Sequence, residues 1–220
     1  ITFTFSEDIL GFETADISLE GGGSLSGISA TSSQVFTATY TPPAATTGAV
    51  TLTVGASAFE DIVGNDNTTT ATLAINVDTE IPRLASIITD DSDDKVKDTD
   101  VVRVTVTFSE AMTASPTISI DLPNGTDISA VSMTQSTTAD VWYYDWTVAD
   151  GGDGSATITV SGSDLAGNAY AGSDTKIVAI DNTAPTLTIT AADTSLIVGE
   201  TAQITFTFSE DILGFETADI

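Results

Sequence analysis

The chain has 220 residues, of which 32 are acidic and five basic (Arg83, Lys95, Lys97, Arg103 and Lys176), with no histidine, no cysteine and a net charge of −27. That charge argues strongly against nucleic acid or an anionic membrane as partner, and without His or Cys the usual triads and thiol chemistry lack their bases and nucleophiles. A folded chain this acidic repels itself unless cations help, and an inventory of oxygen donors alone favours calcium over zinc. Apolar residues make up 41%, and the abundance of Thr, Ser, Val, Ile and Ala is a β-forming composition.

Residues 1–17, ITFTFSEDILGFETADI, return letter for letter at 204–220, which marks a tandem array seen through a window slightly longer than one repeat. Ile1, Phe3 and Phe5 alternate with Thr2 and Thr4, the period of a half-buried strand, and Ser6-Glu7-Asp8 marks where that strand leaves its sheet. A degenerate repeat lies inside the first: ITFTFSE at 1–7 corresponds to VTVTFSE at 104–110, DIVGN at 61–65 to DLAGN at 164–168, and DTEIP at 78–82 to DNTAP at 181–185. Each pair is offset by 103, whereas VTLTV at 50–54 aligns with ATITV at 156–160 at 106, so insertions fall in loops. The expected division is a module at 1–82 lacking its first strand, a complete module at 83–185, and the first strands of a further module at 186–220. The chain opens inside a strand and reads as a piece of a longer protein. No apolar run nears the ~20 residues that span a bilayer, and no signal peptide is visible.

In the complete module the pattern predicts strands at 84–89, 101–108, 117–121, 139–148, 155–160 and 176–180. Turn clusters at 90–94, 123–125, 150–154 and 166–168 separate them. No stretch carries a helical period. The predicted fold class is all-β: tandem immunoglobulin-like antiparallel sandwiches in series.

VTVTFSE, DLAGN and DNTAPT at these distances resemble the bacterial immunoglobulin-like repeat domains of large repetitive surface adhesins and biofilm proteins. The resemblance covers essentially the whole chain, with DIVGN and DTEIP as departures in the first module. It implies an extracellular, cell-surface stalk stiffened by Ca2+ at module junctions, with neighbouring repeats of the same chain as partners. Other cells, glycans or like chains are further partners under an adhesive or matrix-building reading. Neither nucleic acid nor membrane insertion of this segment is implied, and no enzyme.

The residues support a metal site independently. In such a sandwich the glutamate ending the second strand and the loop after the penultimate strand reach the pole where the linker enters. For the complete module this gathers Asp78, Glu110, Asp164 and Asn168. Glu7 and Asp61 form a partial junction without their linker, and Asp181 and Glu210 one without its loop. The competing reading is that these are solvated turn acids, with Asn168 holding a left-handed turn. A second group, Asp90, Asp91, Asp93 and Asp94, falls at the opposite pole near Asp150 and Asp153, where a metal site and a charged solvated loop are equally good readings. It lacks the Gly and Glu of a helix–loop–helix calcium loop.

The run Val141-Trp-Tyr-Tyr-Asp-Trp146 invites a sugar-binding reading. Trp142, Tyr144 and Trp146 align with Phe36, Ala38 and Tyr40, however, and so read as core, which leaves Tyr143 outside. The sequons at Asn67 and Asn124 carry little weight in a Thr-rich chain.

Overall fold

The computed structural model describes residues 1–149 and 151–220. The first eighty residues form β1 (Thr2–Thr4), β2 (Ile9–Leu10), a 3-10 turn (Thr14–Asp16), β3 (Ile17–Glu20), β4 (Ser24–Ser32), β5 (Val35–Thr41), β6 (Thr47–Val54), β7 (Glu60–Asp61) and β8 (Ala71–Asp78). Their sheets run β1-β5-β4 and β3-β6-β8, with β2 and β7 paired at one end. Next come β9 (Leu84–Thr89), β10 (Lys95–Val96), β11 (Val101–Phe108), β12 (Thr117–Asp121), β13 (Ile128–Ser132), β14 (Thr134–Gln135), β15 (Val141–Thr147), β16 (Gly154–Ser161) and β17 (Lys176–Ile180). These build two sheets, β9-β11-β15-β14 and β10-β17-β16-β12-β13. The chain closes with the hairpin β18 (Leu187–Ala191) and β19 (Ile204–Phe208) and a second 3-10 turn at Thr217–Asp219.

The order in 84–180 is that of an immunoglobulin-like sandwich: the first strand pairs with the second, and its continuation crosses to the opposite sheet. Here β9 pairs antiparallel with β11, and β10 pairs parallel with β17 through Lys95↔Ala179 and Val96↔Ile180. Alternation places Val102, Val104, Val106 and Phe108 of β11 inside, against Ile118, Ile120, Ile158 and Val178 of the other sheet. A separate cluster around Ile9, Phe12, Val50, Leu52 and Val77 forms the core of 1–77.

Register confirms the internal alignment. Phe3 opposes Phe36 in the first sandwich and Val106 opposes Trp142 in the second, which reproduces both the 103 and the 106 offsets. The identical end blocks also fold alike. Phe12 meets Phe3 and Phe5 edge-on at 5.1 and 5.0 Å, and Phe215 meets Phe206 and Phe208 at 5.3 and 5.0 Å.

Three strands go beyond the sequence pattern. β13 has no clean alternation, because it is an edge strand with a register shift against β12 and a left-handed Ala130 (φ 49°). β10 and β14 are two residues long, too short to register as a period.

The aromatic run divides as its alignment predicts. Trp142 and Trp146 are buried and Tyr144 packs against the core, while Tyr143 lies under the guanidinium of Arg103, 4.3 Å from its ring centroid. Arg103 also holds Asp145 through two nitrogens at 2.6 and 2.9 Å. One face of the Tyr143 ring is therefore covered by the guanidinium. Trp146→Ala is expected to cost about 3–5 kcal/mol in denaturant unfolding of the middle sandwich, and Tyr143→Ala less than about 1 kcal/mol.

Candidate metal centre

Three carboxylates converge where the first sandwich hands over to the second. One oxygen each from Asp78, Glu110 and Asp164 lies within 4.8 Å of the others. Asp78 ends β8, Glu110 follows β11, and Asp164 opens the loop after β16, so three separate elements deliver them to one pole.

Each delivery has a local cause. An isolated antiparallel bridge, Met112↔Asp164, lays the loop after Glu110 beside the loop that carries Asp164. Ser109 fixes the linker reciprocally: the Arg83 N–H donates to Ser109 Oγ at 2.9 Å and the Ser109 N–H donates to the Arg83 carbonyl at 2.8 Å. The same exchange joins Thr186 and Ser209 at the next junction, at 2.9 and 3.0 Å. Sequence reasoning missed this role of serine, although its signal was the recurrence of Phe-Ser-Glu beside every linker. Pro82 of the linker is buried. Asp78 is held from the first sandwich, where Thr47 Oγ1 donates to its Oδ1 at 2.9 Å, and Thr79 Oγ1 donates to the Pro43 carbonyl at 2.6 Å.

The DxxGN loop is a closed turn. Asp164 Oδ1 accepts the backbone N–H groups of Ala166 and Asn168 at 2.9 and 2.8 Å, and the Asn168 side-chain amide donates to Oδ2 at 2.8 Å. Gly167 sits at φ 95°, where an L side chain is strained. Asp61 repeats the pattern with Val63 and Asn65 at 2.8, 2.9 and 2.6 Å, around Gly64 at φ 91°. Asn168 does one thing more: its Nδ2 also donates to the Asp78 carbonyl at 3.2 Å, tying the loop to the linker. Its amide nitrogen therefore positions two of the acids.

The electrostatics of the three acids differ. Burial raises the Asp164 carboxyl, which is 1% exposed, but the donors from Asn168, Ala166 and Gly167 outweigh it and hold the group below the ordinary aspartate range. Glu110 has no such donors. Burial first, then the charges of Asp164, Asp78 and Glu80, push its carboxyl up. Like charges about 4.8 Å apart repel by roughly 3–4 kcal/mol per pair at an effective dielectric near 20. The donor set fits a hard cation, since two oxygens bound to one calcium at about 2.4 Å lie at most about 4.8 Å apart.

The other candidates are placed differently. Glu7, Asp61 and Asp66 line one groove, with Asp61 opposite Ile9 as Asp164 is opposite Met112, but among the described residues these acids do not form a cluster of three carboxylates. Asp181 is exposed and accepts the Thr183 N–H at 3.1 Å. Glu210 keeps one carboxylate oxygen buried without a hydrogen-bond partner.

Among the described residues, Asp90, Asp91, Asp93 and Asp94 form no cluster of three carboxylates. Asp94 is drawn to Lys176 and Thr89, Asp91 accepts the N–H groups of Asp93 and Lys95, and Asp90 accepts that of Arg103. Asp91 also interacts with the Asp93 side chain, so the group is engaged by partners within its own loop and by Lys176. Asp150 lies outside the described residues. Asp153 accepts from Asn182 N–H at 2.6 Å and from the Thr183 hydroxyl, so it anchors the outgoing linker. The Asn67 side chain of the first sequon is tied by its Nδ2 to the carbonyls of Gly55 and Thr69 at 2.8 and 2.9 Å.

The depressed carboxyls of Asp61 and Asp164 contribute stability that is complete above the unfolded aspartate range and is lost as pH falls through the lower folded values. Asn168→Ala is expected to lower the stability of the middle sandwich by about 1–3 kcal/mol at neutral pH. Its unfolding curves should also fall less on acidification than those of the parent.

Neither a curated protein nor a solved structure matches the chain. The family model for the bacterial Ig-like domain matches residues 1–77 and 181–220, just over half of the sequence, on both sides of the sandwich that carries the three-carboxylate cluster. With its sandwich order, its repeated DxxGN turn and this match, the chain belongs to the bacterial Ig-like domain family.

Proposed function

We propose that the chain is a stalk segment of an extracellular bacterial surface protein, divided into modules at 1–82, 83–185 and 186–220, and that Ca2+ at the Asp78–Glu110–Asp164 junction holds successive modules in line. Domains of this family are typically non-enzymatic structural modules of extracellular proteins. The observation that carries the reading is the convergence of three carboxylates from the two sides of one linker. Nothing internal to a sandwich requires that arrangement, and without a cation it destabilises the junction. Repetition supports the same reading, because an extender needs copies where a unique ligand site needs only one.

Calcium, when bound, supplies the positive charge that lets the three carboxylates stay close, with backbone or water oxygens completing its shell. The chain's own residues do the rest. Asn168 and Ser109 hold the loop and the linker in register, Thr47 and Thr79 fix Asp78 to the preceding module, and the buried Pro82 limits the linker's freedom. The junction therefore acts as a hinge whose straight state binds metal, and metal selects that state by mass action.

Small-angle scattering is expected to give a longer maximum dimension with calcium than with chelator, and an unchanged dimension refutes the hinge. Glu110→Gln separates the two roles of the cluster. Because its folded carboxyl is raised, ionised Glu110 costs stability once pH exceeds that value. The variant should therefore be more stable than the parent in chelator at neutral pH, while its calcium affinity by calorimetry falls ~10-fold or more.

A further inference from the structure

Each linker is bound more fully to the sandwich it leaves than to the one it enters. In the first linker, Asp78 is still a rung of the ladder, opposite Thr47 of β6. Thr79 continues that ladder. Its N–H donates to the Thr46 carbonyl at 2.9 Å, and its hydroxyl accepts the Thr46 N–H at 3.2 Å while donating to the Pro43 carbonyl at 2.6 Å. All of these partners lie in β6 or in the loop that leads into it.

The second linker reaches the same result with different residues. The Asp181 N–H donates to the Val96 carbonyl at 2.9 Å, which continues the parallel pairing of β10 with β17. Asn182, at the position of Thr79 by the 103 offset, fills the gap between two loops. Its N–H donates to Asp153 Oδ1 at 2.6 Å, its Nδ2 donates to the Gly152 carbonyl at 2.7 Å, and its Oδ1 accepts the Asp98 N–H at 2.7 Å. The two loops are joined to each other, since the Gly151 N–H donates to the Asp98 carboxylate at 3.0 and 3.2 Å. Every one of these partners belongs to the middle sandwich.

On the entering side the attachments are the serine exchanges, Arg83 with Ser109 and Thr186 with Ser209, and the single long bond from Asn168 to the Asp78 carbonyl. Between the two sets of anchors lie Ile81-Pro82 in the first linker and Ala184-Pro185 in the second. A proline fixes its own φ and keeps the residue before it extended, so few torsions stay soft at either place.

We propose that each linker moves as part of the sandwich it leaves, with Thr79 and Asn182 as the fixing residues, and that bending is confined to Ile81-Pro82 and Ala184-Pro185. The consequence for the metal centre rests on the calcium reading of that site. Asp78 travels with the first sandwich, while Glu110 and Asp164 travel with the second. A cation held by all three therefore ties body to body across a short joint. On a loose tether the same aspartate would be gathered onto the second sandwich and the first would stay free. Where the aspartate sits in the linker decides whether binding becomes stiffness.

The test is residual dipolar coupling of the backbone amides in the 220-residue chain, weakly aligned in chelator. The expected result is a separate alignment tensor for each sandwich, with Asp78 and Thr79 fitting that of the first and Asn182 and Thr183 that of the second. In Asn182→Ala the couplings at 181–183 should shrink by about twofold or more while the middle sandwich keeps its tensor. One common tensor for both sandwiches overturns the joint. Parent couplings at 78–79 or 182–183 that fit neither sandwich overturn the fixing, as do unchanged couplings in Asn182→Ala. Gly-Gly inserted between Val77 and Asp78 separates locking from binding. Calcium affinity by calorimetry should stay within about tenfold of the parent, while the gain in maximum dimension with calcium is lost. An insertion chain that lengthens as the parent does overturns the role of the attachment. A parent that binds no calcium overturns the locking, while the fixing of the linkers still stands or falls on the couplings.

Discussion

Two sheets of short strands make a stable body only if something joins their edges, and in the middle sandwich one segment does this for both. Leu84–Thr89 extends the sheet of β11, the chain then crosses, and Val96 closes the sheet of β17 while burying its side chain. Much else follows from that crossing. It fixes which pole the linker enters, and so which strand end and which loop meet it.

The junction shows how a weakly restrained linker becomes a defined site. No single interaction there is strong: a serine exchanging two hydrogen bonds, an asparagine bridging a loop and a carbonyl, a threonine holding an aspartate. Each adds about 1 kcal/mol, the usual net measure of a hydrogen bond. Together they hold three carboxylates in mutual reach against their own repulsion. The uneven outcome, with Asp164 depressed and Glu110 raised, follows from where the N–H donors are, because those of the loop converge on the Asp164 carboxylate and burial is the first cause at Glu110.

The sequence made the repeated parts legible and left the non-local parts hidden. Alternation in ITFTF and VTVTF revealed the strands, because a half-buried strand writes its period directly into the chain. Asp-x-x-Gly-Asn revealed the turn, since each of its polar residues has one stereochemical use there. The convergence of Asp78, Glu110 and Asp164 followed from counting strand directions. By contrast, β13 escaped because its left-handed Ala130 and register shift break the period. The partner of Asp94 is Lys176, 82 positions away, and the cation over Tyr143 is Arg103 in a neighbouring strand. Composition identifies an acidic run but cannot tell which cation, side chain or metal, reaches it.

The short pairing of β10 with β17 has a mechanical meaning. These strands are parallel, with Lys95 beside Ala179 and Val96 beside Ile180, and they belong to the opening and closing segments of one sandwich. Tension applied between the two ends of such a sandwich would pull those segments in opposite directions, so the rungs between them would be sheared side by side instead of being peeled one at a time. Bonds loaded in parallel must fail together. A sandwich joined in this way would resist extension at the point where the chain enters and leaves it.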